Sequence, residues 1–274
     1  MTRDAEKGTA LITGASRGIG AAYAEQLATR GYDLVLVARD ASRLEPLARR
    51  LTAETGRTVT TIAADLTDDT DLARVESTLR KDPTITMLVN NAGTASLAPL
   101  LRADVDVMDR MITLNVRALT RLTYAAAPAF VARGHGTIIN IASVAGVAPE
   151  RLNGVYGASK AYVIAFSHSL QHELADKGVR IQAVLPGATA TDLWAADGDG
   201  MSYEKLPPSI VMSPEDVVEA ALAGLENGEL VTIPPLQDDE EWTRYEAARR
   251  AISEQFGHSQ PAPRYRVHAG AGAR

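Results

Sequence analysis

The chain has 274 residues, 46% of them apolar, and a formal net charge of −6, which suits one sizeable domain with a full core. The acidic balance argues against a nucleic-acid partner or an anionic membrane surface, since both reward a basic protein. There is no cysteine, which excludes disulfides, thiol nucleophiles and cysteine-based zinc sites together.

The first stretch, "MTRDAEKGTALITG", is charged and lacks the apolar core and small-residue cleavage site of a signal peptide. The longest apolar run, 124–132, is nine residues and contains Pro128, against about 20 for a membrane span. A soluble, cytoplasmic protein without a membrane partner is expected.

Short apolar runs at 9–13, 33–38, 58–64, 86–90, 136–142 and 180–186 read as buried strands. Between them, 18–30, 41–55, 69–81, 104–132 and 155–177 read as helices. Strand and helix alternating at this spacing predict an α/β fold, a doubly wound parallel sheet with helices on both faces. Ligands in such sheets bind beyond the carboxyl ends of the strands. After 187 the rhythm breaks into a Gly-, Asp- and Pro-rich stretch, 187–212, expected to form a substrate lid that includes Trp194. A helix at 214–227 comes next, with Ser213 as N-cap and Pro214 at its first position. A last strand is expected at 229–233 and a further helix within 238–255, acidic at its start and more basic at its end. A single domain over 1–256 and a flexible tail over 257–274 are predicted.

"TGASRGIG" follows the first strand and opens the first helix. Gly14, Gly18 and Gly20, with Ser16, Arg17 and Ile19 among them, allow a tight turn whose backbone N–H groups close on a pyrophosphate. An acidic residue ending the second strand would meet a free ribose 2′-OH. Here that place is taken by Arg39, whose guanidinium fork matches a 2′-phosphate. Arg17 can reach the same group, and Asp40 is expected to cap the next helix. NADP(H) is therefore preferred over NAD(H). In "YGASK", Tyr156 and Lys160 stand four apart, side by side on one helix face. An ammonium there would lower the phenol's pKa toward the working pH.

Six motifs in order carry a resemblance: "TGASRGIG", "NNAG" at 90–93, "LNV" at 114–116, Ser143, "YGASK" at 156–160 and "PG" at 186–187. Over 9–190 the chain resembles the short-chain dehydrogenase/reductase superfamily, in its ordinary single-domain, Rossmann-type branch. The resemblance implies Tyr156 as general acid/base, Lys160 beside it on the nicotinamide ribose, and Ser143 holding the substrate carbonyl. It implies Asn115 as the anchor of a water in the proton relay. Asp65 with Leu66 would meet the adenine ring. Asn91, Ala92 and Gly93 would pass beneath the adenosine ribose, and Pro186, Gly187 and Thr189 would flank the nicotinamide. Such a site reduces a ketone to an alkoxide, to which Ser143 donates a hydrogen bond worth roughly 3–4 kcal/mol in comparable oxyanion holes.

His168 and His172 stand at i, i+4, but without the H-E-x-x-H order helical packing is the expectation, and no metal site is assigned. "DDTD" at 68–71 opens a helix, where negative charge is stabilising. The substrate wall is expected from 94–99, 144–153 and 187–210, where Leu97, Val144, Val147 and Leu152 favour an apolar or medium-sized carbonyl or alcohol; Glu150 and Arg151 add polarity. A non-enzymatic NADP-binding regulator on this fold would be expected to lose Tyr156, Lys160 or Ser143. A nucleotide-sugar epimerase or dehydratase would carry a longer substrate domain after Lys160 and another glycine spacing. The resemblance further implies a homodimer or homotetramer, paired through the helices at 104–132 and 155–177.

Overall fold

The computed structural model describes residues 7–96, 98–152, 154–195 and 203–265. Leu97, Asn153, the side chains of Arg151 and Trp194, the 196–202 part of the expected lid and the end of the tail lie outside the described residues. Among the described residues, seven strands pair in parallel in the order β3-β2-β1-β4-β5-β6-β7. They are β1 Thr9–Thr13, β2 Asp33–Ala38, β3 Val59–Ala63, β4 Ile85–Asn90, β5 Gly136–Ile141, β6 Val179–Val184 and β7 Val231–Thr232. The order reverses between β1 and β4, which opens a crevice at their carboxyl ends.

Successive residues of a strand face opposite sides, so β1 feeds two cores. Ile12 packs with Tyr23 and Leu27 of α1 (Gly18–Thr29), Leu44 and Leu51 of α2 (Ala41–Thr55), and Val218 and Leu222 of α7 (Pro214–Glu226). Leu11 packs with Leu72 and Leu79 of α3 (Asp69–Lys81), Leu122 and Phe130 of α5 (Leu119–Arg133), and Leu170 of α6 (Gly154–Leu174). The strand at β3 differs from its expected burial. It is the sheet's edge, and Thr60, Thr61 and Ala63 are exposed.

The long helix expected at 104–132 is three pieces. α4 (Val105–Ile112) leads into a π-helical turn, Thr113–Ala118, before α5. A π turn accommodates an extra residue and rotates the next part of the helix; here it brings Asn115 into the interior. α6 likewise stops at Leu174, and Ala175–Lys177 continues as a 3-10 turn. Ser213 caps α7 as expected, accepting from the Asp216 N–H at 3.0 Å. Asp68 accepts from the N–H groups of Thr70 and Asp71 and caps α3.

One compact unit runs to Pro235, shortly after β7, its last strand. From Leu236 onward a second unit contains α8 (Glu240–Ser253), on which Trp242 stacks against Tyr245 with ring centroids 5.1 Å apart. The expected tail includes a 3-10 turn at Pro263–Tyr265. Among the described residues, no helix is long and apolar enough to cross a membrane.

Tyr23 is fully buried, and its hydroxyl has no hydrogen-bond partner among the described residues. A buried donor left unmade costs about 1–3 kcal/mol. Tyr23→Phe is therefore expected to stabilise the protein by about 1 kcal/mol, read as a higher denaturant midpoint at unchanged m-value; a lower midpoint would show that the hydroxyl has a partner.

Candidate active site

A cavity of about 440 Å³ occupies the crevice beyond β1 and β4. Its floor is the turn from Gly14 to Gly18. Gly14 and Gly18 take left-handed backbone, with φ of 64° and 54°, which glycine adopts without steric cost. α1 then begins with no side-chain cap, so the orphan N–H groups of its first turn are left for a ligand. Ser16, Arg17 and Ile19 line the same wall. Gly20 does not line the cavity, although it was expected to touch the cofactor. A Cβ there would lie 2.2 Å from the Gly14 oxygen and 2.5 Å from Asn91 Nδ2. Gly20 is required by the approach of α1 to the sheet.

Asn91 fixes this turn from the other side of the crevice. Its Nδ2 donates to the carbonyls of Thr13 at 2.9 Å and Gly14 at 3.2 Å. In return, the Thr13 hydroxyl accepts from the N–H groups of Asn91 and Ala92, both at 3.0 Å. Ala92 and Gly93 continue the wall, and Pro186, Gly187 and Thr189 close it from beyond β6.

On the side of the cavity beyond β1 and β2, Arg17, Arg39 and Arg43 line the wall. Asp40 caps α2 as expected, accepting from the Ser42 N–H at 3.0 Å, and also pairs with Arg43 at 3.3 Å. Asp65 accepts from the Thr67 N–H and hydroxyl at 2.9 and 2.7 Å. Burial works against its charge, but these bonds and the nearby Arg39 guanidinium hold its carboxyl below the ordinary value. Leu66 lines the cavity beside it. Sequence reasoning missed Arg43 and Asp192. Arg43 had a signal, standing three places after the N-cap Asp40. Asp192 had none, because its partner Arg17 is 175 residues away.

At the other end stand Ser143, Tyr156 and Lys160, all buried. Ser143 follows β5 and caps the short turn Val144–Gly146, accepting from the Ala145 N–H at 3.1 Å. That turn lies directly on α6: a Cβ on Gly146 would meet the Lys160 carbonyl carbon at 2.8 Å. The approach brings Ser143 into hydrogen-bonding contact with the Tyr156 phenol. Lys160 Nζ donates to the Ile141 carbonyl at 2.9 Å and lies 5.9 Å from the centre of the Tyr156 ring. Burial lowers the Lys160 pKa to about 8.

Burial also pushes the Tyr156 phenol above its ordinary value, and the Ser143 hydrogen bond pulls the other way without reversing it. This corrects the expectation of a lowered tyrosine. The ammonium is held on Ile141 and is itself desolvated, so loss of water outweighs its attraction.

Asn115 is buried and does not line the cavity. Its Oδ1 accepts from the Thr94 N–H at 2.9 Å, while Nδ2 donates to the Thr94 carbonyl at 2.9 Å and to Ser159 Oγ at 3.2 Å. Its amide braces the chain after Gly93. His168 is half-buried and His172 exposed on α6, and among the described residues no group of three or more His, Cys, Asp or Glu could hold a metal ion.

The family model for short chain dehydrogenase matches residues 8–201. An uncharacterized oxidoreductase of Staphylococcus saprophyticus is 36% identical over 82% of this chain and 93% of its own length. The structure of a short-chain dehydrogenase from Sphingobium yanoikuyae in complex with NADPH is 48% identical, with a TM-score of 0.91 over 94% of this chain and 100% of that one. A bulky-bulky ketone specific alcohol dehydrogenase from Comamonas testosteroni is 44% identical, with a TM-score of 0.87 over 95% and 99% of the two chains.

The burial of Lys160 is open to direct measurement in the cofactor-free protein. Its ε-carbon resonance, assigned by comparison with Lys160→Met, should titrate near pH 8, apart from the exposed lysines near ~10.4. A midpoint shared with those lysines would mean that the ammonium is solvated.

Proposed function

The chain belongs to the short-chain dehydrogenase/reductase family and is an oxidoreductase of CH–OH and C=O groups; from that premise we propose that it reduces apolar, medium-sized to bulky ketones with NADPH. The observation that carries this reading is the convergence of Ser143, Tyr156 and Lys160 at one end of a cavity whose other end holds three arginines.

The residues present fit a phosphorylated dinucleotide. The uncapped start of α1 and the left-handed glycines at 14 and 18 suit a pyrophosphate. Arg39 and Arg17 suit a 2′-phosphate, and the NADPH bound by the Sphingobium yanoikuyae protein supports that choice. Lys160, between Gly93 and Tyr156, suits the nicotinamide ribose: a Cβ on Gly93 would lie 3.6 Å from its Nζ. The bound cofactor supplies the hydride.

The chain's own groups handle the proton. Ser143 and Tyr156 donate to the carbonyl oxygen, and Tyr156 Oη gives its proton to that oxygen as it becomes an alkoxide. Burial, which keeps the phenol protonated, suits a general acid at neutral pH. Lys160 carries its charge below about pH 8 and stabilises the phenolate left behind. Oxidation of an alcohol would run the same proton steps in reverse, with the phenolate as base. Asn115 holds Thr94 in place and anchors a water in the proton relay.

Val144, Leu152 and Leu193 line the cavity near Tyr156, and behind them Ala95, Met108, Met111 and Ala145 pack around the tyrosine. Such a wall favours apolar substituents on the ketone. The ketone specificity of the Comamonas testosteroni enzyme supports the same class. A homo-oligomer is part of the proposal: Tyr124 on α5 is 69% exposed and stacks on Phe166 of α6, as does Tyr162, an outward aromatic face suited to a second copy.

NADPH oxidation against ketones, acyl thioesters, quinones and sugars tests the reading. Turnover of ketones flanked by two apolar groups is expected, with Tyr156→Phe slower by roughly 10²–10⁴-fold while still binding NADPH. No turnover of any class by a wild type that binds NADPH would favour a binding protein instead. Arg39→Ala is expected to weaken NADPH about tenfold, from the loss of one charge-assisted bond, and to leave NADH unchanged; equal effects on both would remove Arg39 from the 2′-phosphate site.

A further inference from the structure

Two of the three arginines at the phosphate end already face one carboxylate, and Arg43 also pairs with Asp40 at 3.3 Å. Asp192 Oδ2 lies 2.9 Å from Arg17 Nη1 and 3.9 Å from Arg43 Nη1. Arg17 belongs to the glycine turn, Arg43 to α2 and Asp192 to the 3-10 turn Asp192–Ala195 beyond β6. All three line the cavity. The chain before Asp192 is seated on the same turn: Thr191 Cγ2 would touch a Cβ on Gly18 at 2.9 Å. Leu193, after it, packs on the cluster that contains Tyr156. Residues 189–193 thus run along the whole site, tied at their start by a bridge between Thr189 and Met212.

We propose that Asp192 is a built-in competitor of the adenosine 2′-phosphate, its carboxylate occupying the guanidiniums of Arg17 and Arg43 until a phosphate displaces it. The inference rests on the NADP(H) reading above. The ion pair is exposed, with side-chain accessibilities of 50% for Arg17, 52% for Arg43 and 57% for Asp192, and pairs of that kind are weak. A phosphate monoester carries close to two negative charges and three acceptor oxygens, so it outcompetes one carboxylate for the same forks. A free 2′-OH has no charge with which to do so. NADPH would then release Asp192 and, with it, the neighbouring Leu193 on the substrate wall, whereas NADH would leave both in place. Asp192 is in this sense a specificity residue. It opposes the 2′-phosphate at the arginines and leaves nucleotides with a free 2′-OH unaffected.

The test uses fragments that isolate this end of the cofactor, 2′,5′-ADP and 5′-ADP, with binding measured by calorimetry on the full chain. Asp192→Asn removes the charge and keeps the size. It should tighten 2′,5′-ADP by about 3- to 5-fold, the range set by an exposed ion pair, and change 5′-ADP less than twofold. In Arg43→Ala the gain from Asp192→Asn should shrink. Weaker binding of 2′,5′-ADP by Asp192→Asn would overturn the proposal, because Asp192 would then be holding the arginines in position for the ligand. An unchanged affinity would overturn it too. The NADP(H) reading fails separately, if wild type and Asp192→Asn alike bind both fragments equally, and the proposal falls with it. If wild type shows no preference and Asp192→Asn acquires one, the competitor is stronger than expected and the proposal stands.

Discussion

The site depends on how Asn91 joins the ends of β1 and β4. These two strands are neighbours where the sheet changes direction, and their carboxyl ends would otherwise leave unpaired carbonyls facing a crevice. The Asn91 amide takes the carbonyls of Thr13 and Gly14, while the Thr13 hydroxyl receives the N–H groups of Asn91 and Ala92. Buried backbone groups are thereby paired without closing the crevice. The glycine turn is held open, and Gly20 lets α1 come down onto it. A side chain at Gly20 would strike the Gly14 oxygen and Asn91 together, so these positions work as one unit.

A second polar chain sits one strand over and supports the reactive end. Asn90 on β4 donates to Thr123 of α5 and to Asn140 of β5, and Asn140 donates to Ser167 of α6. All four residues are buried. These bonds tie α5 and α6 to the centre of the sheet. α6 is the helix that carries Tyr156 and Lys160. The same rigid packing that sets their positions also strips them of water, and burial moves each toward its neutral form, the phenol up and the ammonium down.

Much of this was legible in one dimension. The alternation of apolar runs and amphipathic stretches located all seven strands to within a few residues, most of them because a buried parallel strand needs a continuous apolar run. Gly14, Arg39, Ser143, Tyr156 and Lys160 each followed a strand or shared a helix face, which is where a parallel sheet puts its ligands. Other features left no local trace. The π turn at Thr113–Ala118 has no sequence period of its own, so 104–132 looked like one helix. The edge position of β3 is a matter of sheet order, and its threonines alone did not declare it. Asn115 carried the expected motif, and its bonds to Thr94 came only with the fold.

The sequence by itself determined the fold class, the glycine turn and the side-by-side placing of Tyr156 and Lys160, since these follow from periodicity, from glycine's conformational freedom and from the fixed spacing of a helix face. Tertiary structure alone decided the direction of the Tyr156 shift, the commitment of Asn115 and the meeting of Arg17 with Asp192. Each of those depends on distances between segments remote in the chain and on how much water packing removes. Burial and long-range pairing are properties of the folded arrangement, and no local pattern of residues encodes them.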